Sequence, residues 1–397
     1  MTKSLVIAVA LAGCSDVAAL PPPRTPERIA ADAPALDALR AANFDAAFAL
    51  AAQQLAIAPQ DSEAAAIHAI AGYQQAAARL YVALDLRSSW FIFDHVLRDE
   101  AQPSVQAFDE RLDAIDRDLA VVAADPAFTL ELCLACWQYD WNHDGTIDDH
   151  DQRLFEIERD DKGEGLPPND PRRRPTFKFD VGDALWGRAM LSFQRAAAEL
   201  VLAYRWSDIN KDGDAKTVVV HLLSADRVKR ARALLLAGLD FSDKTRKAYL
   251  AETDDDREWV PNPRQHSHPV PLDANDKLYD TWEGVVGDLR RLVAGDEGIS
   301  MRELGPLIST ELAWLVPDAY VDVGRMLDEP VDIRIENEGH GDKAKAVERV
   351  LRGVLGHGYR ESMKPSPLVG RIRSIAGELA RGGDTFDEKL RYLMWVN

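Results

Sequence analysis

Three observations predict a mainly α-helical fold, a helical array around a substantial core. Apolar residues recur at threes and fours through long stretches such as "SVQAFDERLDAIDRDLAVVAAD", "DALWGRAMLSFQRAAAELVLAYRW" and "DRVKRARALLLAGLD", the period that gathers them on one helix face. Strand signals are scarce, and "KTVVVHLL" is the clearest of them. Hydrophobic residues make up 46% of the 397 residues and charged residues 28%, with nine Trp, a balance that belongs to globular chains and not to disordered ones. The formal net charge of -19 makes nucleic acid an unfavourable partner and an anionic membrane surface a repulsive one, and it favours cations.

The chain opens on what reads as an address: "MTKSLVIAVALAGCS" carries Lys3, an apolar run over 5–12 and then small residues, a run too short to span a bilayer. Leu11, Ala12, Gly13 and Cys14 resemble the lipobox of bacterial lipoproteins. That resemblance implies removal of residues 1–13, lipidation of Cys14 and attachment of the protein to a membrane of the cell envelope through that lipid. Ser15 follows in place of the aspartate associated with inner-membrane retention, so the outer membrane is expected. The alternative is an ordinary secretory signal with a chance cysteine. Residues 14–34, rich in proline, read as a semi-rigid tether.

Residues 35–122 read as helical. "NFDAAFALAAQQLAIAPQD", 43–61, resembles the second helix of a tetratricopeptide repeat, with Ala46, Leu50, Leu55 and Pro59 in fitting places. No second copy follows at the repeat's period, so a solenoid is not implied. "DSEAAAIHAIAGYQQAAARLYVAL" continues the helical pattern.

Residues 123–250 read as a further helical region with two acidic loops. "PAFTLELCLACWQYD" is expected to lie within a helix, which places Cys133 and Cys136 on one face as a structural disulfide or as packed thiols. A thioredoxin-like redox role needs a helix N-terminus beside the thiols. Haem attachment is excluded, because Trp137 stands where a histidine is required.

"DWNHDGTIDDHD" then places oxygen donors at loop positions 1, 3, 5, 9 and 12, as Asp140, Asn142, Asp144, Asp148 and Asp151, with Gly145 at 6. This resembles the EF-hand calcium loop. Alternate residues of a tightly curled chain point inward, glycine permits the sharp turn, and the Thr146 carbonyl completes the oxygen shell. The resemblance implies a helix entering over 132–139, a helix leaving through "DDHDQRLFEIER", and Ca2+ as the ion. Asp151 is shorter than the glutamate usual at the last position, which implies weak affinity. A second version, "DINKDGDAKTVV", keeps Asp208, Asn210, Asp212 and Asp214 but has Val219 at the last position. A shortened echo at 295–304 reads as a helix start, with Ser300 and Glu303 forming a capping box.

Residues 251–397 begin with an acidic and then proline-rich stretch, 252–282. There His266 and His268 can be imagined on a transition metal, but an ordered surface loop packed by Trp259 and Trp282 is the favoured reading. Helical patterns return near the end, and "FDEKLRYLMWVN" is expected to dock into the core.

No HExxH, GxSxG, Walker or GxGxxG motif occurs, so no catalytic residues are assigned. The expected function is that of an envelope-anchored, calcium-binding helical lipoprotein, a binding or scaffolding module for another envelope protein. The alternatives are a periplasmic hydrolase with structural calcium and a transporter-associated solute-binding lipoprotein. A cleft of convergent carboxylates, or an apolar pocket of ligand size, favours the alternatives.

Overall fold

The computed structural model describes residues 26–84, 99–141, 143, 145–148, 151, 155–160, 163–210, 217–270, 275–308, 315–336 and 343–380. The protein is mainly helical, with eleven α-helices among the described residues. Cys14 and the terminal segment 381–397 lie outside them.

Helix α1 (Pro26–Arg40) begins inside the segment the sequence assigns to a tether, because Pro26 sits at the first helical position, where a missing N–H costs nothing. Helix α2 (Phe44–Ile57) follows, capped by the Asn43 side chain, which accepts from Ala46 N at 3.2 Å. Helix α3 (Ser62–Ala83) is capped in the same way by Asp61, which accepts from Ala64 N at 3.2 Å. Helix α4 (Gln102–Ala123), helix α5 (Val181–Ala203) and helix α6 (Ala225–Ala251) complete a series in which each helix packs on the next in sequence.

Ion pairs fix the register between α4 and α5, where Arg188 meets Asp116 at 2.8 Å and Arg195 meets Asp113 at 2.7 Å. Between α5 and α6, buried Glu199 accepts from both Arg227 and Arg230. Helix α7 (Asp276–Ala294) packs on α6 and ends at Gly295, whose φ of 87° is the left-handed conformation that a Cβ disfavours.

The strands are short. Strand β1 (Leu130–Leu132) pairs antiparallel with β2 (Phe177–Phe179), with Leu130 opposite Phe179 and Leu132 opposite Phe177. Strand β3 (Thr217–Val220), the one the sequence displays, pairs with the distant β6 (Ile333–Glu336). Strands β4 (Ile299–Ser300), β5 (Tyr320–Val321) and β7 (Tyr359–Arg360) form a small antiparallel sheet in the order β4-β5-β7. The remaining helices are α8 (Met301–Ile308), α9 (Val323–Asp328), α10 (Lys343–Leu355) and α11 (Leu368–Ala380).

The structure corrects the expected helix around the cysteines. Residues 130–132 are a strand, Leu134–Cys136 is one turn of 3-10 helix, and the chain then runs extended. Leu130, Leu132 and Leu134, then Trp137, Tyr139 and Trp141, recur at every second residue, the period of an extended chain with one face inward. Phe44, from the start of α2, receives all three aromatic rings, with centroids at 5.3, 4.9 and 6.2 Å from those of Trp137, Tyr139 and Trp141. Cys133 and Cys136 are joined as a disulfide with Cα atoms 5.2 Å apart.

Candidate functional site

A cavity of about 400 Å3 lies between α3, α4, α5 and the β1–β2 pair. Small residues leave the room for it: Ala66 and Ala69 on α3, and Ala184 and Gly187 on α5, stand where larger side chains would fill the space. Gly187 also lets α5 approach α4, since a Cβ there would lie 2.9 Å from Leu119 Cδ1. The walls are chiefly aliphatic and aromatic, with Trp137, Phe155, Phe179, Trp186 and Trp259 contributing rings. Two lining residues carry a buried polar atom without a hydrogen-bond partner: Gln194 Oε1 and Trp259 Nε1. The Gln194 amide donates through its other end to Tyr73 Oη at 2.9 Å.

One corner is acidic. Asp180 and Asp183 both line the cavity and form a capping box at the start of α5. Asp180 Oδ1 accepts from Gly182 N at 2.6 Å, and Asp183 Oδ2 accepts from Asp180 N at 2.9 Å. The hydroxyl of Tyr249, from α6, donates to Asp183 Oδ1 at 2.7 Å. Gly182 makes that contact possible, because a Cβ there would fall 2.5 Å from the Tyr249 ring.

Behind this pair the loop that follows α6 brings Glu252 and the buried Glu258. Asn262, fully buried, pins the loop by donating to Tyr249 O at 2.7 Å, and Gln265 donates to Asp254 O at 2.9 Å. Tyr279 Oη, from α7, donates to Pro261 O at 2.9 Å.

The electrostatics follow from this crowding. Burial holds the Asp183 carboxyl well above the usual carboxylate range, and the charge of Asp180 adds to it. Glu252 is pushed up to about 10, by burial first and then by the charge and hydrogen bond of Asp180. Glu258 is raised to about 7 by burial and by the charges of Asp254 and Asp180. Burial and the Asp183 charge likewise raise the Tyr249 phenol. Lys178, the cation that acts on Glu258, is itself held by Asp254 at 2.6 Å and Asp256 at 3.7 Å.

The sequence-predicted calcium loop adjoins the same cavity, since Trp137 precedes it and Phe155 follows it, with ring centroids 6.3 Å apart. Its curl is present. Asp140 Oδ2 accepts from Gly145 N at 2.8 Å, and Gly145 has a φ of 92°. Asp151 is buried and takes Trp141 N and Asp148 N on its two oxygens at 2.9 and 3.1 Å. Thr146 and Asp148 belong to the same curl, whereas Asn142 and Asp144 lie outside the described residues.

The helical frame implied by the resemblance is absent on the entering side, and 155–160 is not helical on the leaving side. The oxygen donors suit a hard cation. Among the described residues, however, no group of three His, Cys, Asp or Glu side chains converges as a metal site.

The second loop is entered from α5 through a 3-10 turn, Trp206–Asn210, and is followed by β3 rather than by a helix. Asp208 Oδ2 meets His221 Nδ1 at 2.8 Å. Asp212 and Asp214 fall outside the described residues, as does the Asn210 side chain. His266 and His268 are engaged locally: His268 Nδ1 bonds Val270 O at 2.7 Å, and Asp255 accepts from the backbone of His266.

Sequence reasoning found none of the cavity residues as a site. The only local signal was Asp180 and Asp183 at capping-box spacing before an apolar helix. No protein-family model matches the chain, and no curated protein or solved structure matches it.

Proposed function

We propose that this protein is an envelope lipoprotein that binds a small, largely apolar molecule in the cavity between α3, α4 and α5. The observation that carries the reading is the cavity itself. At about 400 Å3 it falls in the range of ligand pockets, roughly 300 to 1,000 Å3. Its walls are apolar, and a few polar atoms stand ready to orient a guest. Among the functions the sequence leaves open, this favours a solute-binding lipoprotein over a scaffold, whose binding surface needs no apolar pocket of ligand size. The Asp140–Asp151 curl, with Ca2+ as the ion implied by its resemblance, would tie Trp137 to Phe155 and so hold that side of the wall. Lipidation at Cys14 would keep the protein on the outer membrane. No helix among the described residues is long and apolar enough to cross a membrane.

Isothermal titration with a compact neutral probe, adamantylmethanol, tests the reading. One probe should bind per chain and shift the tryptophan emission, since Trp137, Trp186 and Trp259 line the cavity. Met190→Trp, which fills part of the cavity, should abolish binding in a folded protein. Failure of every apolar probe of this size to bind at millimolar concentration would remove the proposal. Attachment is checked separately, since Cys14→Ala should release the protein from membranes.

A further inference from the structure

The acidic corner gives the cavity a preference that apolar walls alone would not. Asp183 lies deep among protein atoms, yet part of its surface remains accessible, and it lines the cavity together with Asp180. Glu252 and Glu258 stand behind them. The charges acting on Asp183 and Glu252 are those of other acids, and Lys178 is committed to Asp254 and Asp256. Several carboxyls crowded in one low-dielectric region are mutually unfavourable as anions, and they hold protons unless a positive charge enters among them and draws out their ionised forms.

The wall also carries one unpartnered acceptor, Gln194 Oε1, and one unpartnered donor, Trp259 Nε1, sites for a polar substituent on the body of a guest. The rings of Trp186, Trp259 and Phe179 line the cavity, and aromatic rings attract a cation held over their faces. A bare metal ion does not suit these walls, and no convergent set of metal-ligating side chains exists among the described residues.

We infer that the cavity is selective for an organic cation, a compact apolar body carrying one ammonium group that is directed to Asp183 and Asp180. The inference rests on the ligand-binding reading above and deepens it. The aliphatic and aromatic walls hold the body of the guest, and the ammonium donates to the acidic corner. An anionic guest is rejected, because its charge would join the buried acids.

Three probes of one shape decide it: adamantylmethylamine, adamantylmethanol and adamantanecarboxylate, titrated calorimetrically into the wild-type protein at neutral pH. The amine should bind at least tenfold tighter than the alcohol, one per chain, and the carboxylate at least tenfold weaker than the alcohol. The preference should persist at high salt, since a buried pair is screened little, whereas adsorption of amines to the acidic surface would not. Asp183→Asn should bring amine and alcohol affinities together. Equal binding of amine and alcohol to the wild-type protein overturns the inference and leaves the pocket reading intact. Absence of binding by all three overturns both. Should Asp183→Asn fail to fold, the comparison on the wild-type protein still decides.

Discussion

Replacing Glu258 by glutamine should remove a defined share of the pH dependence of stability. Glu258 is 5% exposed and its folded-state pKa is raised from 4.5 to about 7. Below about pH 4.5 the group is protonated in both folded and unfolded chains and contributes nothing. As pH rises, the unfolded chain ionises first while the folded one keeps its proton, so the unfolded state gains and stability falls. The loss is complete once pH passes the folded value near 7.

A rise of about 2.5 pH units, at about 1.4 kcal/mol each, amounts to roughly 3 kcal/mol between about pH 4 and pH 8. Glutamine does not titrate, and it lifts one charge from Asp183 and Glu252. Urea denaturation of wild type and Glu258→Gln at both pH values should therefore give profiles that diverge by about 3 kcal/mol, the variant being favoured at the higher pH. A residual fall in the variant belongs to Glu252, whose value is raised to about 10, and to Asp183, whose carboxyl burial also raises, both extending the same trend. Parallel profiles, or a variant that loses ground as pH rises, would refute the reasoning.

Gly182→Ala should unseat the Tyr249 ring, since the new Cβ would meet it at 2.5 Å, at a cost of about 1 to 3 kcal/mol for overpacking. A lower melting temperature, and faster hydrogen exchange of the amides at the α5 start, would show it. Calcium should stabilise the protein by about 2.7 kcal/mol at a hundredfold excess over its Kd. Asp140→Ala should abolish that shift, while the apo protein loses about 1 kcal/mol with the Gly145 hydrogen bond. Asp208→Ala should affect calcium binding less; titration of metal-stripped protein with calcium reads both.

By itself the sequence determined most of the helices, although the one cap read from it, Ser300, lies in β4. Apolar residues at threes and fours, with Asn43, Asp61, Asp180 and Ser224 before them, are local signals, and local hydrogen bonds answer them. The curl of the Asp140 loop was legible for the same reason, because an aspartate and a glycine five residues apart close a turn without help from elsewhere. The segment before it was misread, although its period of two was written in Leu130, Leu132, Leu134, Trp137, Tyr139 and Trp141. Only packing on Phe44 and pairing with β2 make that period decisive.

The cavity and its acids belong to tertiary structure alone. Asp180 and Asp183 look like an ordinary helix cap until Glu252 and Glu258 arrive from beyond α6 and protein atoms close around them. Burial and neighbouring charge then change the chemistry of the carboxyls, and both depend on what is close in space, which spacing along the chain does not encode.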